Sequence, residues 1–490
     1  MQIQTAENFD KNARAAIGDP VLQGALQNLA RTFGTRRRSA IETVPDWEGS
    51  REAARSIKAE VLRDLDQYLV AFADNAEAAG ARIHWAGDAK EACAIVRWLV
   101  KERGAEMVVK SKSMLTEEIH LNAALEAEGI EPVETDLGEW IIQLAGETPS
   151  HIVVPAIHKT KRQIAELFAE KVGTDESADV NELTATARRI LREKFARATV
   201  GISGVNFGIA ETGSVLILEN EGNIRLTTSL PKTHIAVMGI EKLLPRFTDL
   251  AVFLQLLPRS GTGQRLTAYQ SIITGTKRKH DDEGPEELHI VLVDNGRSKM
   301  LSHPVTRQSL ACIRCGACLN ACPVYQSVGG HAYGAVYPGP IGAVITPQLE
   351  GFARTKQLPY ASSLCGACRE VCPVKIDIPE LLLHLRAEIT DGTANGADAS
   401  EKVARKLGES LAFRMYGGLW KSPGGYKLFH RLSRLGQRLV LRDGKIGKVS
   451  KLVASVAPPL GAWTAWRDAP AVAPVSFREL WKTELSKDRN

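Results

Sequence analysis

Residues 312–323 read CIRCGACLNACP, and residues 362–373 read SSLCGACREVCP. The two stretches hold Cys312, Cys315, Cys318, Cys322, Cys365, Cys368 and Cys372, seven of the eight cysteines in the chain. The first is C-x2-C-x2-C-x3-C-P, the spacing with which bacterial ferredoxins hold cubane iron–sulfur clusters. The second repeats its last three cysteines and its proline, but has Ser362 where the first has Cys312. Four thiolates satisfy the irons of one cubane, and a chain that arranges this twice holds an electron path. A structural zinc site pairs two cysteine couples and does not need a third cysteine between them. Disulfides fit poorly with the N-terminus MQIQTAENFDKNARAAIGD, which lacks an apolar signal core. Thiols kept for a metal suit a reducing cytoplasm, and that is the expected location.

The spacing carries a wiring rule. Three close cysteines wrap one cluster, and the fourth, before the proline, reaches the other. Cys312, Cys315 and Cys318 are therefore expected to share a cluster with Cys372. Cys365 and Cys368 share the second with Cys322. The expected cofactors are two 4Fe–4S clusters. The second has three thiolates. A serine oxygen, a water or another side chain takes its fourth iron, or that iron is absent and a 3Fe–4S centre remains. Ile313, Ala317, Ala321, Val324, Ala367 and Val374 are small or apolar and suit a dry cluster shell.

At 490 residues with 44% hydrophobic content, the chain is long enough for about three domains. No apolar run approaches the roughly 20 residues that span a bilayer. Residues 1–75 read as a helical segment, with helical periodicity in VLQGALQNLARTF (21–33) and IKAEVLRDLDQYLVAF (57–72). TVPDWEG (43–49) is a loop between them, and Arg36–Arg38 read as a solvated basic cluster. Residues 76–300 alternate strands and helices, which predicts an α/β domain with a parallel sheet covered on both faces. Strand candidates are RIHWA (82–86), AEMVVKS (105–111), EPVETD (131–136), SHIVVPAI (150–157), ATVGISG (198–204), GSVLILE (213–219), HIAVMG (234–239) and ELHIVLVD (287–294). Helices are expected over EACAIVRWLVKERG (91–104) and TEEIHLNAALEAEG (116–129), with Cys93 as a small core residue. Residues 301–394 form the two-cluster segment, and 395–490 a basic extension.

The α/β segment has neither a dinucleotide fingerprint nor a Walker loop, and GAVYPGPIGAV (334–344) is a turn-rich connection between the cysteine runs. It does place polar residues at strand ends, where open α/β sheets bind ligands. Lys110 and Lys112 are candidates to hold an anion, and Glu211 or Glu219 to act as base or nucleophile. Residues 220–223, NEGN, read equally well as a tight turn. His151, His158 and His234 show no ligand spacing and read as packing residues. From Lys402 to Lys451 there are thirteen Lys/Arg against Glu409 and Asp443. Leu428, Phe429, Leu432, Leu435, Leu439 and Val440 interleave with them, as in a basic amphipathic helix on a partner or an anionic membrane surface. A solvated helical face is the plainer alternative. No nucleic-acid motif accompanies the charge.

Taken together, the chain resembles the lactate utilisation protein B family, the iron–sulfur component of the bacterial three-part L-lactate utilisation system. The resemblance runs over nearly the full length. It is carried by VKSKSMLTEEIHLN (109–122), ETDLGEWIIQLAGETPSHIVVPAIHK (134–159) and AETGSVLILENEGN (210–223). The two cysteine runs and LAFRMYGGLWKSPGGYKLFH (411–430) complete it. The resemblance implies a lactate-utilisation domain whose α/β sheet is related to sugar-phosphate isomerases and CoA transferases. A helical ferredoxin-type dicluster domain and a helical basic C-terminal extension follow. It implies electron transfer within a complex that oxidises L-lactate to pyruvate, with the seven clustered cysteines as ligands and two other subunits as partners. Ser362 in place of a cysteine also looks like the family's own pattern. A quinone-linked acceptor at the inner face of the membrane is an open alternative to a fully cytoplasmic one. The resemblance transfers no catalytic residue onto the α/β domain. Three other classes stand beside this reading. One is an electron-transfer subunit of a glycolate-type 2-hydroxy-acid oxidoreductase. Another is an acyl-transfer or isomerase-type enzyme with structural clusters, and the last a cluster-based redox sensor or assembly scaffold.

Overall fold

The computed structural model describes residues 5–281, 283–393, 407–438, 440–442, 444–451, 455, 461, 464–465 and 467–485. Among the described residues, ten strands lie in its first compact unit, residues 1–403. They are β1 (Arg82–Ala86), β2 (Met107–Lys110), β3 (Glu131–Glu134), β4 (Val200–Gly204), β5 (Phe207–Ile209), β6 (Ser214–Glu219), β7 (Thr233–Gly239), β8 (Leu243–Leu244), β9 (Tyr269–Ile273) and β10 (Glu287–Val293). Six of them form one sheet in the order β1-β10-β7-β4-β2-β3, with every pairing parallel.

Side-chain alternation explains why this sheet is covered on both faces. Ile235 and Val237 of β7 and Val291 and Val293 of β10 pack with Val96, Leu99 and Val100 of the helix Ala89–Glu102. Ala236, Met238, Ile290 and Leu292 point the other way, toward Val61, Leu65, Phe72 and Ala76 of the preceding helices. A strand buried on both faces reads as a continuous apolar run, as β7 and β10 do. Pro132 sits in β3, at the sheet edge, where a missing N–H is tolerated.

Five expectations are corrected. Within TVPDWEG a helix already begins at Trp47, capped by Asp46. GAVYPGPIGAV runs into the helix Gly339–Glu350 rather than staying a turn. SHIVVPAI is a chain of turns, not a strand. His151 Nδ1 accepts the N–H groups of Val153 (2.9 Å) and Val154 (3.2 Å), which turns those donors inward. Pro155 has no N–H, and its carbonyl accepts from Ser150. TEEIHLNAALEAEG is two helices, Met114–Glu118 and Leu121–Glu126, broken where His120 adopts φ 55°. GSVLILE does not join the parallel sheet. As β6 it lies in a second sheet, β8-β5-β6-β9, where it pairs antiparallel with both neighbours.

The helices Phe9–Ile17, Pro20–Ile41 and Trp47–Arg63 share one core with the cysteine segment. Phe9, Leu26, Leu29 and Ala54 pack with Leu319, Tyr325, Tyr333 and Ile341. The second compact unit, residues 404–490, contains helices Leu407–Lys421 and Pro423–Gln437. It also has a three-stranded ribbon of Leu441–Arg442, Lys445–Ile446 and Ala469–Pro470. Leu428, Phe429, Leu432 and Leu435 are exposed, Val440 is half-buried, and Leu439 lies outside the described residues. Among the described residues no helix is long and apolar enough to cross a membrane.

Candidate functional site

The first cysteine loop follows a 3-10 turn, Thr306–Ala311, and leads into the helix Ala317–Ala321. Arg314 (φ 59°) and Gly316 (φ 78°) are left-handed, which curls the loop so that its backbone faces its own sulfurs. The Arg314 N–H donates to Cys312 Sγ at 3.4 Å, and the Ile376 N–H to Cys372 Sγ at 3.3 Å. Cys312, Cys315, Cys318 and Cys372 line one small cavity with Ile152, Ile313, Ile341, Val374, Ile376 and Ile378. Burial pushes the Cys315 thiol up to about 12 and Cys372 up to about 11. It raises Cys318 well above its ordinary value. A dry pocket holding four thiols ionises them only beside a compensating cation, and an iron–sulfur group supplies one. None of the cysteines is in a disulfide.

The second loop collects Cys322, Cys365 and Cys368. Burial raises Cys322 and Cys368, the latter to about 12, and the interaction of Cys368 with Cys322 and Cys365 adds to this. Cys365 is exposed, and the Ala367 N–H with the Ser363 hydroxyl lowers its thiol. Ser362 Oγ accepts the Leu364 N–H at 3.1 Å.

The N-terminal helices position Cys372. Buried Arg51 donates from Nε (3.0 Å) and Nη2 (2.9 Å) to the Cys372 carbonyl. Arg37 donates to the Val371 carbonyl at 3.2 Å and packs its guanidinium on Trp47. Arg37 is therefore not part of a solvated cluster, although Arg36 and Arg38 are exposed. Seven residues after Arg51 on the same helix, Lys58 Nζ donates to the carbonyls of Glu241 (2.5 Å) and Leu243 (3.3 Å).

A second cavity, about 300 Å³, opens at the C-terminal ends of β2, β3, β4 and β7. Lys112, Asp136, Asn206, Glu219, Lys242 and Arg297 line it from the α/β side; Arg314, Cys315 and Tyr337 close it from the cysteine side. Arg297 joins the two sides. It bonds Glu118 at 2.8 Å from both Nη1 and Nη2, and Glu241 at 2.6 Å from Nε. The Tyr337 hydroxyl donates to Glu118 at 2.6 Å, and the Arg314 guanidinium lies 4.6 Å over the Tyr337 ring. Burial acts to raise the Glu241 carboxyl, but Arg297, Lys242 and Arg314 together hold it down to about 2.

The strand-end candidates separate on this geometry. Lys110 is fully buried and engaged with Glu134 (2.7 Å), Glu117 (3.3 Å) and the Thr116 hydroxyl (3.0 Å), so no anion reaches it. Lys112 does line the cavity. Its Nζ is 3.8 Å from Glu139, whose carboxyl burial pushes up to about 8, and makes no hydrogen bond. Glu219 lines the cavity too, but its carboxylate accepts the Ile224 (2.7 Å) and Arg225 (2.9 Å) N–H groups at the start of the helix Asn223–Ser229. Glu211 is exposed, away from the cavity lining, and accepts the Phe247 N–H at 2.7 Å. Both glutamates hold backbone donors, which is a structural occupation. Residues 220–223 form the turn, with Gly222 at φ 79°.

His151 and His234 are buried and held low, each at about 3, by desolvation. His151 bonds Asn320 (3.1 Å), His234 bonds Ser203 (2.7 Å) and His158 bonds Glu147 (2.7 Å). Buried Cys93 donates to the Ile119 carbonyl. Away from the cysteines, His303, His384 and Glu388 come together at metal-ligand distances. His303 Nδ1 accepts the Val305 and Thr306 N–H groups, which puts its proton on Nε2, 3.4 Å from a Glu388 carboxylate oxygen.

The comparisons with known proteins agree along the whole chain. A LUD domain model matches residues 69–293, a 4Fe-4S dicluster domain model matches 308–376, and a model of the lactate utilisation protein B C-terminal region matches 384–486. The lactate utilization protein B of Bacillus velezensis is 43% identical over 98% of this chain and 98% of its own. The chain belongs to the lactate utilisation protein B family. Two more members of that family, from Bacillus licheniformis and Bacillus subtilis, are each 43% identical over 100% of this chain, covering 99% and 98% of their own. A solved DUF162 family protein from Deinococcus radiodurans covers 47% of this chain at 14% identity and a TM-score of 0.26, too weak a likeness to bear on the fold.

Proposed function

We propose that this chain is the iron–sulfur electron-transfer subunit of a complex that oxidises L-lactate to pyruvate. The observation that carries the proposal is the gathering of Cys372 with Cys312, Cys315 and Cys318 around one cavity, while Cys322 lies with Cys365 and Cys368. Each group takes its sulfurs from both runs, as the crossed ligation of a two-cluster ferredoxin requires. In this reading those two groups of cysteines would hold two clusters, which would supply one-electron carriers for the pair released by a hydroxy acid.

The chain's own residues supply the rest. Backbone N–H groups at Arg314 and Ile376 point at sulfur and stabilise its negative charge. Ile152, Ile341 and Ile376 keep water from the first group. Arg51 fixes the carbonyl of Cys372, so that this sulfur, 54 residues beyond Cys318, stays in place. The family name borne by the relatives supports lactate as the substrate of the system and other protein components as partners. The acyl-transfer alternative loses its two proposed carboxylates, because Glu211 and Glu219 both accept backbone donors.

The test is a purified, anaerobically reconstituted protein. Alone it shows no lactate-dependent dye reduction; mixed with the other components of its system it does. A chain that reduces dye with lactate unaided is an enzyme and not a carrier. Two zinc ions without inorganic sulfide would refute the cluster assignment.

A further inference from the structure

We infer that Ser362 Oγ is the fourth protein ligand of the second cluster. This builds on the ligand assignment above and rests on a comparison of two backbones. In residues 312–318 the third residue, Arg314, has φ 59°, and the fifth, Gly316, has φ 78°. In residues 362–368 the third residue, Leu364, has φ 55°, and the fifth, Gly366, has φ 86°. A helix starts at Ala317 in one and at Ala367 in the other. The left-handed conformation costs a non-glycine residue about 1–2 kcal/mol, and it is retained at both positions.

The decisive contact is the same in both loops. The N–H of the third residue donates to the side-chain atom of the first: Cys312 Sγ at 3.4 Å, Ser362 Oγ at 3.1 Å. Ser362 Oγ thus occupies the place in its loop that a ligand sulfur occupies in the other. Its backbone is pinned on both sides, N–H to the Tyr360 carbonyl (2.8 Å) and carbonyl to Arg386 Nη2 (3.1 Å). Only the hydroxyl is free to turn, and its lone pairs are not all used by the Leu364 N–H. On ligation the Oγ–H bond breaks and an Oγ–Fe bond forms. The proton would leave with a hydroxide released from that iron, as water, and no oxidation state would change. A hard alkoxide in place of a thiolate stabilises the oxidised state, so this cluster has a lower potential than a four-cysteine version in the same place.

The test uses the reconstituted full chain, with iron and sulfide counts, EPR-monitored redox titration and ENDOR in ¹⁷O-water. The native protein is expected to hold about eight irons and show no exchangeable oxygen on the second cluster. Ser362→Ala loses about one iron or gains an exchangeable ¹⁷O coupling. Ser362→Cys keeps all the iron and raises the potential of the second cluster alone. An exchangeable oxygen already present in the native protein overturns the assignment, as does a Ser362→Ala protein with unchanged iron count and spectrum. If both variants lose every iron of the second centre, native ENDOR decides alone.

The cavity beside Cys315 carries a second inference, independent of which electrons the clusters carry. We propose that it binds a small monoanionic carboxylate. Lys242 lines it beside Glu241, with no hydrogen bond or ion pair of its own among the described residues. Arg314 lines it with Nη1 unpartnered and Nη2 3.8 Å from Glu241, a carboxylate that Arg297 already holds. Two cations thus stand beside the first cysteine loop with spare donors. Lys112, whose Nζ also makes no hydrogen bond, adds a third cation, and Asp136, Glu219 and Glu221 line the same cavity; this near balance disfavours a dianion such as a phosphate ester and favours a ligand with one negative charge. Titration calorimetry on the reconstituted protein, with L-lactate, pyruvate, the neutral analogue lactamide and inorganic phosphate, tests this. Expected is binding of a carboxylate, none of lactamide, and at least about ten-fold weakening in Lys242→Met. Equal binding of lactamide, tighter binding of phosphate, or no carboxylate binding in the native protein overturns it.

Discussion

Cys315 and Cys365 occupy the same step of two matching loops, yet Cys365 faces water and Cys315 lies between two cavities of the protein. Burial pushes the Cys315 thiol up to about 12, while N–H and hydroxyl donors pull the Cys365 thiol down. Loop geometry is therefore set locally, by left-handed residues at fixed steps, and sulfur environment is set by what packs over the loop. The first loop is covered by Ile152 from the α/β part, while Arg37 and Arg51 from the N-terminal helices hold the carbonyls of Val371 and Cys372 at the end of the second run. For the second loop no such cover reaches Cys365.

The largest test of this contrast exchanges the two proline-adjacent cysteines. Cys372→Ser is expected to remove the centre shared with Cys312, Cys315 and Cys318, and Cys322→Ser the other. Each should leave about four of about eight irons, with distinct EPR spectra remaining. If each substitution damages only the centre of its own run, the crossed grouping is wrong.

Next in size is the ion network that backs the first loop. Arg297→Met leaves Glu118 and Glu241 buried without their cation, which costs about 3–5 kcal/mol in chemical denaturation. Both carboxyls lie below their ordinary range in the folded protein, Glu241 at about 2. A lowered folded value stabilises above the unfolded value, about 4.5, and that stabilisation fades as pH falls toward 2. The gap between native protein and Arg297→Met should therefore be full at pH 7 and narrow between pH 5 and pH 2. A gap independent of pH would mean the network acts by packing alone.

A smaller effect sharpens the comparison from the other side. Arg314→Gln removes a guanidinium near Cys312 that also stacks on Tyr337. It should lower the potential of the first centre, leave the second unmoved, and cost roughly 0.5–2 kcal/mol of stability. Equal shifts in both centres would show that the two loops share one electrostatic environment. The smallest effect is expected at Glu211→Gln. Gln keeps an acceptor for the Phe247 N–H, so stability changes by less than about 1 kcal/mol. Lactate-dependent activity of the assembled system is unchanged. Loss of that activity would restore Glu211 as a reacting group.

Local signals were legible and contacts across the chain were not. The apolar runs of β7 and β10 are short-range patterns, and each is found where the pattern puts it. SHIVVPAI has a strand's composition, but a histidine side chain takes its backbone donors, and no periodicity records that. The strands β5, β8 and β9 are at most five residues long, too short for alternation to register. No local pattern marks Arg51, Arg297, Glu118 and Glu241. Their side chains become buried only where the folded chain brings their partners, 56 to 321 positions away, against them.

Arg51 and Lys58 stand two helical turns apart on one face of Trp47–Arg63, about 10 Å along its axis. One grips the carbonyl of Cys372 and the other the carbonyls of Glu241 and Leu243. The helix is thus a strut of fixed length between a cysteine loop and the rim of the α/β cavity. A push on that rim has no slack to absorb it before it reaches the loop, so the two ends move as one mechanical piece.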